Sequence, residues 1–142
     1  MLTDIETRAL EMLLAGDRPE LAVLRVQLGL ATVASRKFTG VGFFTHLSVP
    51  AELPRVADRN RLVLDDVYAE VTGLEHAAGF VLFVNHGAIG ALVCFIVEDR
   101  WPDAATLRRV YYVRPATPAS SELVETKERD IDFAFAKLSN GR

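Results

Sequence analysis

The chain has a single cysteine, one tryptophan and three histidines among its 142 residues. One cysteine, Cys94, excludes an internal disulfide. There is no CxxC and no HExxH, so the short-range ligand pairs that build zinc sites are missing. His46, His76 and His86 have no metal-type spacing, and no metal or cofactor is expected. Thr39-Gly40-Val41-Gly42 and Gly87-Ala88-Ile89-Gly90 fit neither GxGxxG nor a P-loop with its Lys-Ser/Thr. They read as turns needing positive φ. Basic excess is absent as well: 16 Lys and Arg stand against 19 Asp and Glu, a net charge of −3. Nothing here would neutralise a phosphate backbone, so no nucleic-acid partner is expected. Repeats and low-complexity runs are absent. The first residues, MLTDIETRALEMLLAG, carry acids where a signal peptide needs bases, and a cytoplasmic protein is the expectation.

What the chain does have is apolar sequence. Half of its residues are hydrophobic and a quarter charged, the balance of a single soluble domain with a real core. The densest stretch is Gly79 to Val97, GFVLFVNHGAIGALVCFIV. Asn85-His86-Gly87 breaks it in the middle, and β-branched and aromatic residues crowd both sides, which predicts a hairpin. Phe80, Leu82 and Val84 share one face of its first strand, Val81 and Phe83 the other. In the second strand Ile89, Ala91, Val93, Phe95 and Val97 face one way, and Leu92, Cys94 and Ile96 the other. Both strands are apolar on both faces, so both faces should be covered and the hairpin should lie mid-sheet. A membrane span is the rival reading of residues 77–97. The polar break and the acids Glu98 and Asp99 that follow, in place of a basic cluster, argue against it.

Elsewhere the elements follow in order. Thr3 and Glu6 form a capping box that opens a helix with Ile5, Ala9, Leu10, Leu13 and Leu14 as its apolar stripe. Gly16 stops that helix. Asp17 is a candidate cap and Pro19 a first-turn residue of a second helix, although LAVLRVQLGL could also start extended. Ala31 to Pro50 reads as strand, turn and strand, the turn at Thr39-Gly40. The segment from Ala51 to Arg61 is polar and reads as the most mobile loop. Leu62 to Val71 is a strand with Val63, Asp65, Val67, Ala69 and Val71 on one face. A short helix is expected at Ala104 to Arg109, and a strand from Val110 to Val113. The tail from Ser120 supports two periods, with Val124, Ile131, Phe135 and Leu138 favouring a helix capped by Ser121. The sum is an α+β fold, a mostly antiparallel sheet of five or six strands with helices near the two ends. So few helices cannot cover both sheet faces, and a homodimer is the expected way to cover the second.

Candidate functional residues are few. Cys94 sits in a core-like run, where a thiol is a small hydrophobe rather than a nucleophile. Asp65 is the odd acid, aligned with valines, and at a strand margin it should pair with arginine. An acid–base site would join His46 to Asp65 or Glu70 in a pocket between sheet and helices. Asp99-Arg100-Trp101-Pro102-Asp103 is the most distinctive patch, because tryptophan and arginine dominate binding hot spots. The expected binding rim is Phe44, His46, Arg100 and Trp101. A non-catalytic interaction protein, regulatory or immunity-like, with a protein partner and no membrane, is the leading expectation. The alternative is a small enzyme or ligand-binding protein.

Thr39 to Thr45, Gly79 to Gly87 and Trp101-Pro102 together resemble a group of small uncharacterised bacterial proteins over roughly residues 21–113. Their pattern has an acidic residue just before the aromatic of the second hairpin strand, where this chain has Val93-Cys94-Phe95. The resemblance implies a β-rich fold and carries no activity with it.

Overall fold

A computed structural model describes residues 1–57, 61–98 and 100–136, with the backbone of 138–139. Two helices come first, α1 (Asp4–Leu13) and α2 (Pro19–Leu30). Five strands follow: β1 (Thr32–Phe38), β2 (Gly42–Ser48), β3 (Arg61–Val71), β4 (Ala78–Asn85) and β5 (Ala88–Phe95). Next come β6 (Leu107–Pro115), β7 (Leu123–Thr126), a one-turn helix α3 (Ile131–Ala134) and β8 (Leu138–Ser139). All strand pairs are antiparallel, and the sheet runs β1-β2-β5-β4-β3-β6-β7, with β8 added against the start of β3. This is the expected α+β class, with β4 as the central strand of seven. The strands outnumber the expected five or six because β7 and β8 come from the tail.

The helices lie on one face of the sheet. Leu10, Leu13 and Leu14 of the first helical segment, and Leu21 and Leu24 of α2, are fully buried against Leu64, Val67, Phe80, Leu82 and Leu92. Burying each such side chain contributes about 1.5–3 kcal/mol. The capping box forms as read: Thr3 Oγ1 accepts from Glu6 N at 3.2 Å, and Glu6 Oε1 accepts from Thr3 N at 2.8 Å. The second segment is helical rather than extended, but Arg18, not Asp17, is its N-cap, and no side chain caps it. Pro19 with its preset φ suffices to begin the turn.

Two bulges re-aim the strands. In β3 the register with β4 shifts between Leu64 and Val67. One extra residue there sends both Asp66 and Val67 inward, so Leu62, Leu64 and Asp66 share the helix face with Val67, Ala69 and Val71. The expectation that Asp65 aligns with the inward valines is therefore wrong; Asp66 is the buried acid, and Asp65 faces away. In β5 a shift opposite Phe83 and Val84 places Ile89 in the core with Leu92 and Cys94, rather than on the face of Ala91 and Val93. Between them, His86 (φ 53°) and Gly87 (φ 78°) form the two-residue turn. Two successive positive φ angles are the hairpin turn whose twist matches its strands.

Two helix expectations fail. Residues 104–106 are not helical, and the strand begins at Leu107 instead. Thr72 N donates to Thr106 O, and Thr106 N to Thr72 Oγ1, each at 2.9 Å, which holds that segment extended beside β3. The tail does not make one helix from Ser121. It pairs with β6 as β7 and is then drawn inward at Arg129 before the single turn of α3, capped by Asp130. Residues 51–57 of the expected loop are tied down by Val56 N to Gly87 O at 3.0 Å and Gln27 Nε2 to Pro54 O at 2.9 Å. Asp58, Arg59 and Asn60 of that loop, and Asp99 of the charged patch, lie outside the described residues.

Candidate functional site

The helices close one face of the sheet and leave the other open. One row of residues runs across that open face from edge to edge. Lys37 on β1 pairs with Phe44 on β2, Phe44 with Val93 on β5, and Val93 with Val81 on β4. Val81 lies opposite the bulged pair Asp65-Asp66, and beyond β3 the row continues to Val113 and then Glu125 on β7. Phe44 is 40% exposed and Phe95 37%, while Val81, Phe83 and Val93 are half-buried. The Phe95 ring lies across Gly79, where an added Cβ would come within 2.2 Å of it, and meets Tyr68 edge-on at 6.0 Å. Arg61 stacks on Phe83 at 4.1 Å. The band is apolar over β2, β5 and β4, and acidic residues enter it at Asp65 on β3 and Glu125 on β7.

The charged margin at β3, β6 and β7 is a cluster. Arg109 donates to Glu70 at 2.5 Å and, through two nitrogens, to Glu125 at 2.7 Å each. The paired donors lower the Glu125 pKa, and the two carboxylates raise that of Arg109. Two acids share one base, leaving one net negative charge. Lys37 at the opposite edge makes no ion pair among the described residues.

A sizeable cavity lies elsewhere, at one end of the helix face. It has a volume of about 820 Å³ and lies between the start of α1, the β1–β2 turn and the segment 100–107. Trp101 meets Phe43 edge-on at 5.6 Å, and Phe43 meets Phe38 at 6.1 Å, giving an aromatic wall. Glu6 forms its floor, fully buried and fully engaged. Arg36 Nε and Nη2 donate to its two oxygens at 2.8 and 2.6 Å, and Thr45 Oγ1 donates to Oε2. Burial pushes the Glu6 carboxyl up, but hydrogen bonds from Arg36, Thr45 and Thr3 outweigh it and hold the pKa below the usual carboxylate range.

The expected binding rim is divided between these two places. Phe44 and His46 point from β2 onto the open face. Trp101 packs on Phe43 at the helix face, with its backbone N–H donated to Gly40 O at 2.7 Å, and Arg100 pairs with Asp103 at 2.7 Å. The acid–base set is not brought together either. His46 on β2 is three strands from Asp65 and Glu70 on β3, about 14 Å at ~4.8 Å per strand spacing. Glu70 is also committed to Arg109. His86 occupies the hairpin turn, and His76, at the other end of β4, gives its backbone N–H to Glu98 at 2.7 Å. Cys94 is buried, and that burial pushes its thiol up to about 12. Among the described residues no three His, Cys, Asp or Glu side chains gather as a metal site, and no helix is long and apolar enough to cross a membrane.

No family model, curated protein or solved structure matches this chain.

Sequence reasoning missed both buried acids. Asp66 is fully buried and held by Arg129 through Nε and Nη2, each at 2.8 Å, while Arg129 Nη1 donates to Ala15 O. The sequence pattern marks Glu6 only as a helix cap. The available signal for both was the combination of an acid within an apolar pattern and an arginine far away in sequence, which no local spacing can match.

Proposed function

We propose that this is a non-catalytic interaction protein that meets another protein chain on the open face of its sheet. The observation that carries the reading is the continuous apolar band of Phe44, Val93, Val81, Phe83 and Phe95 across β2, β5 and β4. Contiguous apolar area of this extent, rimmed by charge, marks interaction sites on folded chains. Catalysis is less favoured because the buried acids are spent: Glu6 and Asp66 accept from arginines with good geometry and have no strained or orphaned oxygen to offer. The cleft is less favoured because its charges are largely paired within the chain, Glu6 with Arg36 and Arg100 with Asp103. A protein of this kind acts by occupying or blocking its partner, as regulatory and immunity proteins do.

Hydroxyl-radical footprinting tests the reading. Phe44, Phe95, Tyr68 and Tyr111 should be modified readily in dilute purified protein and protected inside cells that express it. Phe44→Glu should remove that protection while leaving the fold intact by circular dichroism. Ready modification of these residues in both settings would refute use of this face.

A further inference from the structure

We infer that the occupant of the open face is a second copy of this chain, stacked face to face about a two-fold axis that runs along β4. The inference rests on the interaction reading above and names its partner. Its basis is the polarity of the cross-sheet row. The row begins at Lys37 on one edge, is apolar through Phe44, Val93 and Val81, takes in the acid Asp65 on β3 and Val113 on β6, and ends at Glu125 on the other edge. Val81, on the central strand, is its midpoint.

Two-fold axes lying between stacked sheets come in two simple orientations. An axis across the strands would set Lys37 over Lys37 and Glu125 over Glu125, so like charges would oppose at both ends. An axis along β4 reverses the row, setting Lys37 of each copy over Glu125 of the other, Phe44 over Val113 and Val93 over Asp65, whereas the first axis would also set Asp65 over Asp65. Only the second arrangement joins opposite charges at both edges and sets no like charges over each other, and a C2 interface makes each contact twice. The size fits as well. Seven strands at ~4.8 Å spacing span about 29 Å, and a shared strand length of ~23 Å gives about 700 Å² per copy, close to the ~800 Å² per partner of a standard stable interface.

Sedimentation velocity with charge-reversal variants tests this. The wild-type chain should be a dimer at micromolar concentration. Lys37→Glu and Glu125→Lys, each alone, should weaken association about tenfold, since each creates two repulsive contacts per dimer. Mixed in equal amounts, they should restore wild-type affinity, because each contact then joins a glutamate to a lysine. Glu125→Gln, which still accepts from Arg109, should weaken association in the same direction by a smaller factor and guards against a local disturbance in Glu125→Lys. A wild-type chain that stays monomeric into the hundreds of micromolar would overturn the second-copy assignment. Protection of Phe44 in cells would then still uphold an interaction with a different protein. A dimer whose mixed variants associate no better than each alone would overturn the axis along β4.

Discussion

Glu6 does three jobs with one side chain. It completes the cap of α1, it neutralises Arg36 from β1, and it accepts from buried Thr45 on β2. A carboxylate removed from water is stable there because every oxygen lone pair meets a donor, and because Arg36, about a quarter exposed, carries the counter-charge to the surface. Glu6→Gln keeps the shape but loses the charge, so it should cost about 2–4 kcal/mol in urea unfolding. The pH dependence has a definite sign. The folded pKa of Glu6 lies below the ordinary 4.5. Its contribution is therefore whole above pH 4.5 and is lost as the pH falls through the folded value. Wild-type stability should drop in that window more steeply than that of Glu6→Gln. Parallel acid limbs for the two proteins would mean that the Glu6–Arg36 pair contributes nothing through its charge.

At the level of elements, the central hairpin shows what local pattern can and cannot reveal. Its existence, its turn and its mid-sheet position were legible, because a run of β-branched and aromatic residues broken by Asn85-His86-Gly87 has few other solutions. Which face each residue takes was legible only up to a bulge. Counting by twos assigns Asp65 and Ile89 correctly in a regular strand, and one extra residue reverses everything beyond it. The tail was illegible for a different reason. Its course is set by Arg129 reaching Asp66, 63 positions away, and by the free edge of β6, neither of which appears in the tail's own periodicity. The candidate rim was half legible: Phe44 and His46 are on the open face, whereas Trp101 follows its backbone bond to Gly40 onto the other side. The turn itself supports a sharp prediction. Gly87 needs φ 78°, and an added Cβ would lie 2.4 Å from Val56 O. Gly40, at φ 87°, has nothing within 4 Å. Gly40→Ala should therefore cost only the left-handed strain of about 1–2 kcal/mol. Gly87→Ala should cost distinctly more, because the Val56 N–H to Gly87 O bond must also give way. Equal losses in paired denaturation curves would mean that the loop from 51 to 57 can shift freely and does not secure the hairpin.

For the whole molecule the asymmetry between the two sheet faces is the governing fact. The helix face contains nearly all of the fully buried side chains, from Leu10 and Leu24 to Phe80 and Leu92. The open face leaves a comparable width of sheet, with aromatic rings in it, against water. The proposed second copy on that face would join folding to association, and stability would then depend on protein concentration. For a folded dimer that unfolds to two free chains, each tenfold dilution removes about 1.4 kcal/mol per dimer. With the entropy of unfolding expected for two chains of this length, the thermal midpoint should fall by about 2 °C per tenfold dilution. Phe44→Glu places a charge in the middle of the apolar band without touching the helix face. Its midpoint should be lower than that of the wild type at high concentration and should not move on dilution, since the isolated chain keeps its own core. Calorimetry of both proteins over a hundredfold range of concentration separates the cases. A wild-type midpoint that stays fixed across the range would show that the open face contributes nothing to the stability of the folded state, and that each chain folds and unfolds alone.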